Sequence, residues 1–343
     1  MAEYLYRLKF TGPVHFGTFG IGLEKTLDYL PSDSLTSALV NAFAVLGMAD
    51  DVVKALRSER PAFVLSSLFP FGPSGDGKAI TYALPRPLTP PLVESPKILQ
   101  DIWKDVKRIR YLVPEDFFRW IGQKPLNAEE IEATMLRSRE IGKAAVGGHE
   151  ILWSAAELRP RVALDRSSQG SSIWHCSVLH FHPSAGLYGM IRVLDENWSV
   201  DLASAFRMLG DIGLGGERTY GMGCFEFSGF EPLQSSWPKT PVDSNGSLIL
   251  LSTFHPSEKE LPELNKRLVA WEFSESRGYI VSGRAATTIK RKRLNMFTEG
   301  SVFRESVRGE LADVTPDDAK TLGLTHNIYR SGLAFLMPGG ING

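Results

Sequence analysis

The sequence predicts an α+β fold made of two similar halves. Three observations predict it. Short runs that alternate large and polar residues recur along the chain, and each of the two halves opens with one that is followed by a helical pattern. Residues 232–246, rich in Pro, Ser and Asn, read as a linker between the halves. The length of 343 residues suits two domains at roughly 100–200 residues each.

Each element follows from local chemistry. Residues 4–10 alternate near their end and read as a strand. A loop over 12–31 carries glycines at 12, 17, 20 and 22. Ser32 or Asp33 then caps a helix that runs to about Gly47, and residues 50–59 form another. Residues 61–96 are loop and short strands, dense in Pro and Gly. Residues 97–141 are mostly helical, broken at Pro114 and Pro125. Strands are expected over 161–165, 172–181 and 187–194. Residues 199–209 form an amphipathic helix with Val200, Ala203, Phe206 and Leu209 on one face. A glycine loop at 213–223 leads into a strand over 224–230. Beyond the linker, 247–254 is a strand, 257–268 a helix, and 269–274, 279–281 and 333–337 are strands. Strand–helix–strand–strand order in both halves is that of two ferredoxin-like units side by side. The first, 1–231, carries helical insertions; the second spans 246–343.

Composition narrows the class. Lys+Arg total 38 and Asp+Glu 39, so a uniformly basic nucleic-acid coat is excluded; any RNA or DNA binding needs clustered positive charge. With 43% hydrophobic and 22% charged residues, the chain is not a long disordered protein. Two cysteines, Cys176 and Cys224, do not make a disulfide scaffold. The N-terminus lacks a signal-peptide core, and the longest apolar stretch, 38–48, is too short to span a bilayer. A cytoplasmic protein without membrane contact is expected.

Residues 213–223 read Gly-Leu-Gly-Gly-Glu-Arg-Thr-Tyr-Gly-Met-Gly and are the most informative segment. No Gly-Lys-Ser/Thr follows, and the Gly-x-Gly-x-x-Gly spacing is absent, so this is neither a Walker loop nor a dinucleotide fingerprint. Gly215, Gly216, Gly221 and Gly223 let the backbone approach a ligand, so N–H groups can meet phosphate oxygens. Arg218 adds a fork that suits phosphate, and Tyr220 a face for base stacking. A tight helix-to-strand turn with no ligand is the plainer alternative.

This loop resembles the glycine-rich loop of the RAMP superfamily of CRISPR proteins. Three further blocks narrow the resemblance to the fourth Csm subunit family of type III-A effector complexes. The first runs from Gly12-Pro13-Val14-His15-Phe16-Gly17 to Ser32-Asp33-Ser34-Leu35-Thr36-Ser37-Ala38-Leu39, where Ser34 and Thr36 depart mildly from the family text. The second is Lys292 to Phe303, ending in Glu-Gly-Ser-Val-Phe, and the third is Tyr329 to Phe335. The resemblance implies two RAMP (RRM-like) domains and a place beside the large signature subunit and the first backbone subunit. It implies capture of the repeat-derived 5′ handle of CRISPR RNA, indirect contact with target RNA, no cofactor and no catalysis.

Handle binding asks for phosphate, base and 2′-OH contacts. His15, Phe16 and Gly17 follow the first strand and are assigned to it, with a backbone-bonded loop histidine as the alternative for His15. Arg161 and Arg166, with Arg159, flank a strand in a region that the resemblance marks as including a thumb packed on RNA; a solvated strand edge is the alternative. Lys290, Arg291, Lys292 and Arg293 form the densest basic run. With Arg284 they give five cations and no acid, as a backbone-tracking patch or, alternatively, as a solvated or protein-contacting face.

Two enzymatic rivals exist. A repeat-processing ribonuclease would use His15, which has no evident acid–base partner in the sequence. Asp33 corresponds in region to an acid linked to target cleavage in backbone subunits, and is read instead as a helix cap. Cys176, His180 and His182 share one strand face but lack a fourth ligand, so no metal site is assigned. A scaffold that contacts only protein is the remaining alternative.

Overall fold

The structure, a computed structural model, describes residues 2–17, 23–122, 124–146, 149–165, 170–233, 247–280 and 289–338. It is a mixed α/β protein with several antiparallel sheets. The first strand, Ala2–Phe10, lies inside the largest sheet. It pairs with Gly186–Val193 on one side, Leu5 opposite Met190, and with Phe225–Phe227 on the other, Leu8 opposite Phe227. Phe69–Pro73 and Ile80–Tyr82 extend the sheet beyond Gly186–Val193, and Phe63–Leu65 also pairs with that strand. Every pairing is antiparallel.

Helices α1 (Ser32–Val45), followed by α2 (Ala49–Arg57), and α6 (Ser199–Ile212) belong to the same core as this sheet. The apolar stripe of α6 differs from the sequence expectation. Leu202, Ala205, Phe206 and Leu209 are buried, whereas Val200 is 75% exposed. An interval of three alone drifts around a helix of 3.6 residues per turn; the buried set alternates steps of three and one, then three. Phe206 anchors the stripe, its ring 4.7 Å from Tyr6 and 4.9 Å from Phe227.

Between the strands of the first half lie α3 (Pro96–Arg108), α4 (Pro114–Trp120) and α5 (Ala128–Glu140). Pro114 opens α4, where its missing N–H costs nothing. Asn127 and Glu130 cap α5 reciprocally. The buried Asp116 of α4 accepts two hydrogen bonds from Arg137 of α5, at 2.8 and 2.6 Å. A long two-stranded hairpin follows, Ser154–Leu164 against Ser171–Phe181. Its first strand begins seven residues before the expected 161, because Ala155 to Pro160 pair in register with His175 to His180. Arg166 lies outside the described residues.

In the second half, Leu268–Ala270, Val302–Phe303, Leu248–Leu250 and Leu336–Pro338 form a four-stranded sheet in that order. The helix α7 (Leu261–Arg267) contributes Leu264 to a core with Phe254, Phe297 and Phe303. Much of the expected linker, 234–246, lies outside the described residues. A larger core spans both halves. Ile249, Leu251, Val302, Phe335 and Met337 join the cluster that holds Tyr6 and Phe206. Arg192 crosses the join: it meets Glu3 at 2.7 Å, donates to the Leu336 carbonyl and lies 4.8 Å over the Phe335 ring. Among the described residues, no helix is long and apolar enough to cross a membrane.

Replacing Phe206 with Ala empties a fully buried aromatic site and is expected to cost about 3–5 kcal/mol in chemical denaturation. Val200→Ala, on the exposed face, is expected to stay within about 0.5 kcal/mol. Equal losses in the two variants would contradict the observed stripe.

Candidate nucleic-acid interface

α6 stops at Gly213, whose φ of +89° lies in the left-handed region and whose N–H closes on the Leu209 carbonyl at 2.8 Å. The loop then folds back on itself and on the segment before α1. Leu214 donates to the Gly223 carbonyl at 2.9 Å, Gly216 to His15 at 2.8 Å, and Gly223 to Pro13 at 2.9 Å. These N–H groups are therefore spent on protein carbonyls rather than offered to phosphate. Glycine is required here by chain-to-chain approach. A Cβ on Gly215 would meet the His15 carbonyl oxygen at 2.5 Å, and one on Gly223 the Leu214 carbonyl oxygen at 2.1 Å. Gly221 differs: φ is +76°, but the space beside it is open.

His15 and Phe16 hold this loop from below. His15 is 2% exposed and its Nδ1 lies 2.7 Å from the Ser177 carbonyl oxygen, so the ring donates to the hairpin. Phe16, 1% exposed, packs edge-on against Phe10. Neither side chain is presented at the surface. The alternative reading of His15, a histidine bonded to backbone, is what is observed. Gly17 is exposed.

The hairpin docks on the loop's other side. Cys176 and Val178 pack against Met222, and Val14 exchanges hydrogen bonds with Leu179. Arg161 stacks 4.1 Å over Tyr220 and lies 3.5 Å from Glu217, which is held at a left-handed φ of +57°. Tyr220 remains 64% exposed. The outer face of the hairpin shows Leu158, Val162, Leu164 and Ile173 to solvent. Cys176, His180 and His182 do not converge: His180 bonds Glu157, His182 accepts from the Ser184 N–H, and Cys176 is buried.

A cavity of about 380 Å³ lies where the two halves meet. Gly17, Gly215, Gly216 and Arg218 line it from the first half, and Ser276, Arg291, Glu299 and Arg330 from the second. Arg218 is exposed and makes no ion pair among the described residues. The basic run is split by its surroundings. Lys290 lies over Tyr279, Lys292 pairs with Asp317 at 2.6 Å and Arg293 with Glu275 at 3.5 Å. The acid-free stretch of sequence is thus not acid-free in space. Arg291 alone turns inward, donating to Ser276 Oγ at 3.1 Å and the Arg277 carbonyl at 2.5 Å. Burial, with Arg330 nearby, pushes its pKa down to about 10.

Asp33 is not the helix cap that the sequence suggests. Pro31 occupies that position, and the first N–H groups of α1 meet Ser67 Oγ and Thr253 Oγ1 instead. The Asp33 carboxylate accepts from Ser276 Oγ at 2.8 Å and lies 3.4 Å from Arg330. Ser67 donates to Glu299, whose carboxyl is pushed up mainly by burial. Asp33, Ser276, Glu299 and Arg330 were missed as site residues. Three of them sit inside the family-like blocks, but only the fold brings together residues as far as 297 positions apart.

The CRISPR Csm4 C-terminal domain family model matches residues 243–339. A protein described as Csm4 from Thermococcus onnurineus is 27% identical over 315 residues, which cover 89% of each chain. The chain is thus similar to Csm4 proteins along most of its length, and its residues 243–339 match the Csm4 C-terminal domain. A second Csm4 relative, from Methanocaldococcus jannaschii, is 23% identical and covers 98% of this chain and 97% of its own. A chain from the crystal structure of a Csm3–Csm4 subcomplex of the type III-A interference complex superposes with a TM-score of 0.59 at 18% identity, covering 98% and 99%. One from a Csm1–Csm4 cassette with cA4 gives 0.56 at 20% identity, covering 99% of each. The Csm4 C-terminal match includes Ser276, Arg291, Glu299 and Arg330, so the groove joins that domain to the glycine loop.

Gly223→Ala is expected to destabilise by about 3 kcal/mol or more, and Gly221→Ala by only about 1–2 kcal/mol, in matched denaturation curves. For Glu299, a raised pKa means that folding favours the protonated acid. Its contribution is complete below the ordinary value of 4.5 and is lost as pH rises through the raised one. Glu299→Gln should therefore gain in Tm relative to the parent as pH rises, read by thermal melts across a pH series.

Proposed function

We propose that the chain is a non-catalytic RNA-binding subunit of a type III-A CRISPR effector complex. It captures the 5′ handle of CRISPR RNA, docks the large signature subunit and the first backbone subunit, and meets target RNA only indirectly. The observation that carries this reading is the groove. It collects the glycine loop with Arg218 and the basic run's Arg291 on one concave surface, although the two segments lie in different halves. Phosphate forks and hydroxyls on that surface, with Tyr220 and Tyr279 exposed beside it, supply the contacts that a single strand needs. The names of the solved assemblies, Csm3–Csm4 and Csm1–Csm4, support the two protein partners. The strand–helix–strand order and antiparallel pairing of the largest sheet support a ferredoxin-like RAMP unit in the first half.

The ribonuclease alternative asks His15 to exchange a proton with RNA. A ring that is buried and already donating to a carbonyl is poorly placed for that.

The test uses the complex purified with its neighbouring subunits and synthetic CRISPR RNA. Arg218→Ala is expected to weaken handle binding and reduce its salt dependence by about one phosphate contact. Repeat RNA is expected to stay intact. Metal-independent cleavage that disappears in His15→Ala would overturn the reading in favour of the nuclease. Undiminished RNA occupancy after Arg218→Ala combined with Arg291→Gln would favour a protein-only scaffold.

A further inference from the structure

The groove carries an unbalanced charge. Asp33 is the carboxylate shared by Arg291 and Arg330: it lies 3.4 Å from Arg330 and also attracts Arg291, while the two guanidinium groups repel each other. Arg277 pairs with Glu275 outside the groove, a carboxylate that Arg293 shares. Arg291 is 7% exposed, and its Nε and Nη1 have no hydrogen-bond acceptor among the described residues. A buried guanidinium with two unmet donors, facing a second cation, lacks an anion.

We propose that Arg291 and Arg330 form a subsite for one phosphodiester of the bound RNA, completing the charge balance that Asp33 begins. This rests on the RNA-binding reading above. Guanidinium forks match phosphate oxygens in pairs. Ser34 and Ser37 of α1 line the same wall, but their hydroxyls donate to Asp33, so the guanidinium groups are the donors offered to the anion. A cavity of about 380 Å³ admits a nucleotide-sized group and not a folded partner. Because Arg291 follows the Ile289–Lys290 strand, which pairs with Tyr279–Ile280, and Asp33 lies in the first turn of α1, a phosphate held there ties the two halves at the groove.

The experiment measures thermal melts of the full chain with inorganic phosphate against chloride at matched ionic strength, together with handle-RNA affinity. Phosphate is expected to raise the parent Tm. Arg291→Gln should lose that rise and weaken handle RNA about tenfold. In chloride it should melt close to the parent, since Asp33 keeps Arg330; a residue with a merely structural role would lose stability in chloride as well. Asp33→Asn keeps an acceptor for Ser276 but removes the competing anion, so its phosphate response should grow. That variant tests the proposal even if Arg291→Gln does not fold. A phosphate response unchanged in Arg291→Gln, or diminished in Asp33→Asn, overturns the subsite. Handle RNA bound equally well by Arg291→Gln overturns the subsite and leaves the RNA reading standing. Phosphate binding that follows both variants as expected, without any handle binding, supports the anion site and overturns the RNA reading.

Discussion

A buried carboxylate needs cations and hydroxyls around it, and Asp33 finds them in the other half of the chain. Ser276 lies 243 positions away and Arg330 lies 297 away. The contact fixes where α1 sits against the second sheet. Ser32 with Thr253 and Ser67 with Glu299 close the same seam beside it. Every polar group along that seam that reaches across costs desolvation and is repaid only in one relative placement of the halves. The groove inherits its shape from that placement, and the shared apolar core, running from Phe206 to Phe335, holds it.

A second constraint acts at the glycine loop. The loop runs so close to the 13–16 segment that side chains are excluded at Gly215 and Gly223. Its glycines serve contact between chain segments first, and whatever ligand surface results is built on that contact. His15 and Phe16 act through this support: one donates to the hairpin, the other fills the space beneath Gly215. Arg161 then occupies one face of Tyr220 and leaves the ring exposed to one side. The hairpin, the loop and the groove wall are consequently packed against one another through the 13–16 segment.

Much of the fold was legible because it depends on local pattern. The first strand, α1, α2, the interrupted helical insertion and the hairpin's second strand lie within a few residues of their expected places. Where expectation failed, a non-local partner decided. Residues 154–160 carry Pro160 and a charged pair and do not read as a strand, yet their ladder with 175–181 makes them one. Val200 satisfied an interval of three but faces water, because the sheet selects the stripe through Leu202 and Phe206. Asp33 has the composition of a cap, and Pro31 with the Ser67 and Thr253 hydroxyls leaves it free for the seam. Of the residues that line the groove, Gly17, Gly215, Gly216, Arg218 and Arg291 stand out in the sequence, whereas Arg330 and Glu299, though inside family-like blocks, carry nothing locally that ties them to a groove.

The overall charge acquires a spatial meaning from the same logic. A near-neutral total admits RNA binding only if cations are segregated, and segregation along the sequence is a poor guide to segregation in space. Alternation along the 290–293 segment sends successive side chains to different environments. Asp317 and Glu275 thereby neutralise two of the four cations, and Lys290 remains on the surface. What survives is smaller and better placed: Arg218, Arg291 and Arg330 around one cavity, against Asp33 and a Glu299 carboxyl that burial drives toward its neutral form. A low-dielectric wall makes each of those charges count for more than a solvated lysine on an open face. Three guanidinium groups in a groove can therefore govern binding in a protein whose formal charge is −1.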